Sequence, residues 1–147
     1  MTVILSACSI VLSAILGLTI AVCHVMGGGL ARAAIAAYIY IVRGIPILVL
    51  LFGMYYVLPY AGIDLDATLG GILVISIYFG AFMTEVFRAS IEALPKAQWD
   101  AARGLGMRRM QMLTIVIFPQ AVRMASAPFV NTCVLLIKNT SLVSIIG

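Results

Sequence analysis

Residues 98–121 read QWDAARGLGMRRMQMLTIVIFPQA: a charged, glycine-punctuated stretch set against an apolar run that closes on a proline. Pro95 stands just ahead of it and suits a helix start, because its φ is preset and its missing N–H would be an orphan there. Asp100 in the early turns suits the positive end of that helix. Gly104 and Gly106 end it and turn the chain back. Ala101 and Ala102 are small enough to let a partner approach the backbone. Trp99 is a residue type favoured as an anchor at interfaces. The spacing predicts a short helix at a membrane face, with a flat small-residue surface and a basic rim, suited to docking a soluble subunit. The same residues describe an interfacial helix whose arginines hold phospholipid headgroups.

The rest of the chain says which membrane context applies. Of its 147 residues 64% are hydrophobic and only 10% charged, with a mean hydropathy of +1.20. Soluble domains carry about 25% charged residues, so this chain cannot coat a globular surface and is read as an integral membrane protein. A bilayer offers the backbone no hydrogen-bond partners, which leaves the helix as the spanning element here. The expected fold is all-α and polytopic, a single transmembrane domain over 1–147. At about 20 apolar residues per span, four spans fit: roughly 2–25, 30–58, 67–87 and 112–137. The second is interrupted by RGIP at 43–46, where Pro46 removes a donor and pushes Ile45 away from helical geometry. Residues 30–42 are then a preceding helix or a continuation. Arg43, Gly44 and Pro46 suit either a pathway-lining joint or a helix start at the cytoplasmic surface. The third span continues as a charged tail to Leu94, on which Glu85–Arg88 and Arg88–Glu92 are spaced to pair on one helix. Arg123 falls inside the fourth window, so residues 112–123 can also lie along the cytoplasmic face. Both ends of the chain read as cut.

Function classes narrow in the same way. The net charge of +4 is not gathered on a soluble basic face, so nucleic-acid binding is not indicated. Cys8, Cys23 and Cys133 sit in apolar runs and read as small hydrophobes. With one histidine, His24, and no ligand spacing, neither a metal site nor a cofactor is expected. Intramembrane catalysis needs paired acids, clustered histidines or a nucleophile with its base, and none is present, so no catalytic residue is assigned. Lys and Arg gather at 88–111 and, with Arg32, in the first connection, whereas the 58–66 loop carries Asp64 and Asp66. This asymmetry puts the N-terminus outside and the 88–111 connection in the cytoplasm. It also accounts for Arg103, Arg108 and Arg109 without a partner. Asn131, Thr132, Lys138, Asn139 and Thr140 are polar positions on the fourth span. They are read as lining a solute pathway, with hydrogen bonding between helices as the alternative.

The opening stretch resembles the E-A-A-x3-G-x9-I-x-L-P signature of ABC-importer permeases. Asp100, Ala101 and Ala102 stand at its head with Asp for Glu, Gly106 at its glycine, and Val116 to Pro119 at its close. RGIPILVLLFGMYYVLP, EVFRASIEALPKAQWDAARGLG, FPQAVR and IKNTSLVSIIG are similar to segments of the polar amino-acid permease subfamily. The resemblance implies a bacterial inner-membrane permease subunit of an ATP-driven importer for polar amino acids. Residues 96–110 would be its coupling helix, with Asp100, Ala101, Ala102 and Gly106 meeting an ATP-binding cassette subunit. It further implies a second permease subunit, identical or different, and an extracytoplasmic solute-binding protein. ATP hydrolysis would belong to the separate subunit. The family core has five spans, of which four are expected here. The alternative is a non-transporting scaffold or channel subunit.

Overall fold

The computed structural model describes residues 2–63 and 65–143. Asp64 of the acidic loop and residues 144–147 of the closing apolar run lie outside them. Every regular element among the described residues is helical: α1 (Thr2–Met26), α2 (Gly29–Gly44), α3 (Ile47–Phe52), α4 (Ala67–Glu92), α5 (Lys96–Gly104), α6 (Arg109–Gln111) and α7 (Phe118–Thr140). Three helices are long and apolar enough to cross a bilayer: α1, α4 and the continuous stretch Arg109–Thr140. A fourth crossing is available only if α2 and Ile47–Tyr60, bent by 93° to one another, count as one broken span.

That bend has a local cause. Ile45 is extended (φ −99°, ψ 129°) and Pro46 follows at φ −59°, ψ 135°, the geometry that a proline imposes on itself and its predecessor. Residues 30–42 thus belong to a preceding helix that leaves the direction of the next. Proline shapes two other sites alike. Wide π turns cover Gly53–Val57 and Met112–Ile117, and each ends two residues before a proline, Pro59 and Pro119. A proline cannot bond back to the carbonyl four residues earlier and its ring crowds that carbonyl. The wider turn shifts the hydrogen-bond register just ahead of it: the Phe118 N–H donates to the Leu113 carbonyl.

Helix α4 is the centre of the domain and touches α1, α2, α3 and α7. Its closest neighbour is α1, which presents Leu5, Ser9, Ser13, Gly17 and Ala21, one residue per turn, as its buried ridge. Small residues allow this approach: a Cβ on Gly17 would lie 2.4 Å from Met83 Cβ, and one on Gly80 2.6 Å from Leu16 Cδ2. Lipid tails are as apolar as leucine, so close van der Waals contact of small residues is what holds such helices together. The Ser6 and Thr140 hydroxyls lie 3.2 Å apart and join α1 to α7. Two apolar clusters sit at opposite ends. One gathers Leu5, Ile47, Leu51, Ile75, Phe79 and Leu136; the other gathers Ile91, Leu94, Leu113, Ile117 and Ala121, with Trp99 packed against it.

Arg109–Thr140 is 32 residues long, about 48 Å at 1.5 Å per residue, against an apolar layer of about 30 Å. Counting about 20 residues back from Thr140 reaches Gln120. Arg123 then lies within a turn of the boundary and can extend its exposed side chain toward the headgroups. No separate surface helix is needed to place it, and the apolar helix runs on through 112–123.

Candidate functional site

The predicted coupling segment is built from α5 and the turn that follows. Pro95 caps α5 at φ −56° and ψ 137°, and its carbonyl accepts from the Gln98 N–H at 3.0 Å. The helix ends at Gly104. Gly106 sits in the left-handed region at φ 73°; its N–H donates to Arg103 (2.9 Å), and the Met107 N–H donates back to Ala102 (3.2 Å). These two bonds make a Schellman turn. Residues 96–110 are therefore one helix of nine residues, a tight reversal, and the first turn of the next helix.

Two faces of α5 differ. Ala102 is buried and packs inward, so its small side chain serves the seating of α5 on the Met112–Ile117 turn. Trp99 is half-buried against the ends of α1 and α4. A Gln98–Gln120 side-chain bond of 3.3 Å ties α5 to α7. Asp100, Ala101, Gly104 and Gly106 are exposed, and Asp100 pairs with Arg103 at 3.2 Å on the open side. Leu105 stands between the two glycines with 81% of its surface exposed. Trp99 is thus a fixing residue, and the apolar group offered outward is Leu105. The signal for it in the sequence was a lone leucine between two turn-forming glycines in a polar helix. The arrangement is a hydrogen-bonded turn held to α1 and α4 through Trp99 and to α7 through Gln98, with Leu105 and Gly106 exposed.

The polar residues of α7 do not share one face. Thr132 and Thr140 are buried on the ridge that α7 turns toward its neighbours, with Leu136 between them. Their hydroxyls donate to Pro128 O and Ile137 O. Asn131 and Lys138 are exposed on another side of the helix; Asn139 is half-buried and donates to Leu135 O at 2.8 Å.

A further group of charges lies where α1, α2 and α4 meet. Arg88 binds Glu85 and Glu92 on its own helix, as the spacing predicted. His24 Nδ1 is buried without a hydrogen bond, 3.9 Å from Glu92 Oε1, and its carbonyl accepts from Arg32 Nε at 3.2 Å. The Arg43 guanidinium stacks over Phe82, 4.7 Å from the ring centre. His24, Tyr40, Arg43, Glu85 and Arg88 line a cleft of about 540 Å³. Sequence spacing reveals only the contacts within α4, and the contributions of α1 and α2 depend on the bend at Pro46. Among the described residues no three His, Cys, Asp or Glu side chains are grouped as metal ligands would be.

Comparison with known proteins agrees with this architecture. Residues 9–147 match the family described as the binding-protein-dependent transport system inner membrane component. The chain is 34% identical over 145 residues to a probable amino-acid ABC transporter permease protein, YckA, of Bacillus subtilis (strain 168), covering 99% of this chain and 64% of that one. It is 37% identical over 143 residues to the L-cystine transport system permease protein TcyB of the same organism, covering 97% and 61%. It therefore spans a little over three fifths of the length of these two relatives. The crystal structure of an amino acid ABC transporter with histidines superposes with a TM-score of 0.91 at 31% identity, over 100% of this chain and 69% of that chain.

Proposed function

This chain belongs to the family of binding-protein-dependent transport system inner membrane components, and from that premise we propose that it is part of the membrane-spanning permease subunit of an ATP-driven importer for polar amino acids. An extracytoplasmic binding protein delivers the solute. A separate ATP-binding cassette subunit hydrolyses ATP, and a second permease subunit completes the pathway. The bacterial inner membrane is its location, with the N-terminus outside and α5 in the cytoplasm, a placement that the Lys and Arg distribution supports. The relatives' names supply the cargo class: amino acids for one and L-cystine for another.

The observation that carries this reading is the Leu105–Gly106 turn. The Gly106 and Met107 N–H groups, bonded to Arg103 and Ala102, fix a reversal that leaves Leu105 and Gly106 open to a soluble partner, at the place where the family signature has its glycine. Asp100, Ala101 and Gly106 surround Leu105, and Ala102 lets the whole element lie close to α7. Asn131 and Lys138 support the pathway side of the proposal. Polar side chains within a span do not face lipid, and these two are open in the single chain. They line the path or the joint with the second permease subunit, together with Asn139, while Thr132 edges the cleft between α4 and α7 and Thr140 braces α7 against α1.

The test is reconstitution of the full gene product with its ATP-binding subunit and binding protein in proteoliposomes. ATP-dependent accumulation of a labelled amino acid is expected. Stable assembly without uptake would instead identify a scaffold. Uptake that follows the gradient without ATP would identify a channel.

A further inference from the structure

Arg43 and Glu85 line two clefts at once. The first is the one of about 540 Å³ toward α1 and α2. The second, of about 400 Å³, opens between α4 and α7 and is walled by Phe82, Val86, Met124, Pro128 and Thr132. The two charged side chains thus stand at the junction of the clefts. Arg43 pairs with no carboxylate among the described residues. Instead its guanidinium lies over Phe82, 4.7 Å from the ring centre, a cation–π contact that uses none of its N–H donors. Glu85 is oriented by Arg88, whose Nε donates to Glu85 Oε2 at 3.1 Å. A carboxylate accepts about four hydrogen bonds, so Glu85 keeps capacity beyond its arginine. Counting about 20 residues from Ala67 along α4 reaches Val86, so Phe82 lies a turn inside that boundary and Glu85 stands at it.

A guanidinium without a carboxylate partner and an oriented carboxylate at one junction, at the edge of the apolar layer, match a ligand that carries both opposite charges on one carbon. We propose that this junction holds the α-amino acid backbone of a transported solute: Arg43 takes the carboxylate in a two-pronged hydrogen bond and Glu85 takes the ammonium. The solute side chain then enters the α4–α7 cleft, whose wall is mostly apolar with the neutral polar residues Ser90 and Thr132. That wall holds no charge beyond the pair itself, so the site selects the zwitterionic backbone and tolerates neutral side chains. A lipid phosphate is the weaker match, because the Glu85 carboxylate would repel it. The inference rests on the transport reading above.

The experiment uses the full gene product assembled with its ATP-binding subunit, purified in detergent without the binding protein. Each common L-α-amino acid, and L-cystine, serves in turn as a labelled equilibrium-binding probe. For the tightest binder, the N-acetyl derivative lacks the ammonium and the carboxamide lacks the carboxylate; each is expected to bind about tenfold more weakly or worse. Arg43→Gln should weaken the parent amino acid by about tenfold or more, with Arg43→Lys in between because it keeps charge without the fork. Co-purification with the ATP-binding subunit checks that the variants are folded. Failure of the unmodified complex to assemble or to drive uptake counts against the transport reading. A complex that drives uptake yet binds none of the probes, or binds the N-acetyl derivative as tightly as the parent, or is unmoved by Arg43→Gln, overturns this inference alone. So does an Arg43→Gln complex that loses anionic lipid and keeps the amino acid.

Discussion

At Gly106 the backbone turns at φ 73°, and nothing lies within 4 Å of where a Cβ would stand. The position is therefore demanding in conformation and not in space. A side chain there costs about 1–2 kcal/mol for left-handed geometry, enough to loosen the Arg103 and Met107 bonds that hold Leu105 outward. Gly106→Leu is expected to insert into the membrane at normal level but to lose most ATP-driven uptake and co-purification with the ATP-binding subunit. Gly106→Asn, which tolerates this region better, should keep most of both. Equal uptake by Gly106→Leu and the parent would remove the turn from the coupling role. Gly17 is the opposite case. Its backbone is ordinary helix, and it is glycine because Met83 and Thr84 press against it. Both glycines are plain in the sequence. Only the first has neighbours, Gly104 and the arginines, that announce a turn; the reason for the second lies on another helix.

The elements show the same division. Helix starts and stops follow local chemistry and were legible: Pro95 opens α5, glycines close it, and Pro46 breaks the second span. Asp66, read from the sequence as an outward charge, also caps α4. Its Oδ2 accepts from the Thr68 N–H at 3.0 Å and the Leu69 N–H at 3.4 Å. Asp66→Ala should cost about 0.5–2 kcal/mol, read as a lower thermal midpoint of the purified complex, with Asp66→Asn retaining most of the parent's stability. A midpoint unchanged by Asp66→Ala would show that the cap contributes nothing to holding α4. The facing of the helices was not legible. In a soluble protein the buried side of a helix is the apolar one. In α1 the buried ridge is Ser9, Ser13, Gly17 and Ala21, and the large apolar residues Val3, Val11 and Ile15 face outward. Hydrophobic contrast therefore points the wrong way. For the same reason five polar positions on α7 were read as a single lining, although Thr132 and Thr140 face neighbouring helices and Asn131 and Lys138 face away from them. Small residues at four-residue spacing were the usable signal in α1.

At the scale of the whole molecule, the two apolar clusters and the charges define a direction. The cluster with Ile91, Leu94 and Leu113 adjoins α5 and the Arg-rich turn, and the cluster with Leu5, Ile47 and Leu51 lies toward the other end of α4. In the proposed coupling, a push on Leu105 would reach α1, α4 and α7 at the first cluster. Docking of an ATP-binding subunit at that end requires it to face the cytoplasm, so orientation is the premise most worth testing. Tyr60 is 94% exposed beyond the π turn of the outer connection, and Gly104 has open space around its missing side chain. Single cysteines at these two positions, in a full-length chain with Cys8, Cys23, Cys133 and any other native cysteine replaced, report the two sides. Expression without the ATP-binding subunit keeps Gly104 uncovered. An impermeant maleimide applied to intact spheroplasts should label Tyr60→Cys, and should label Gly104→Cys only after the membrane is opened. Lys and Arg resist translocation, so the basic side of a membrane protein is retained in the cytoplasm, which is where the proposal puts α5 with its arginines. Labelling of Gly104→Cys in intact spheroplasts would invert the molecule and leave Leu105 with no nucleotide-driven partner to meet.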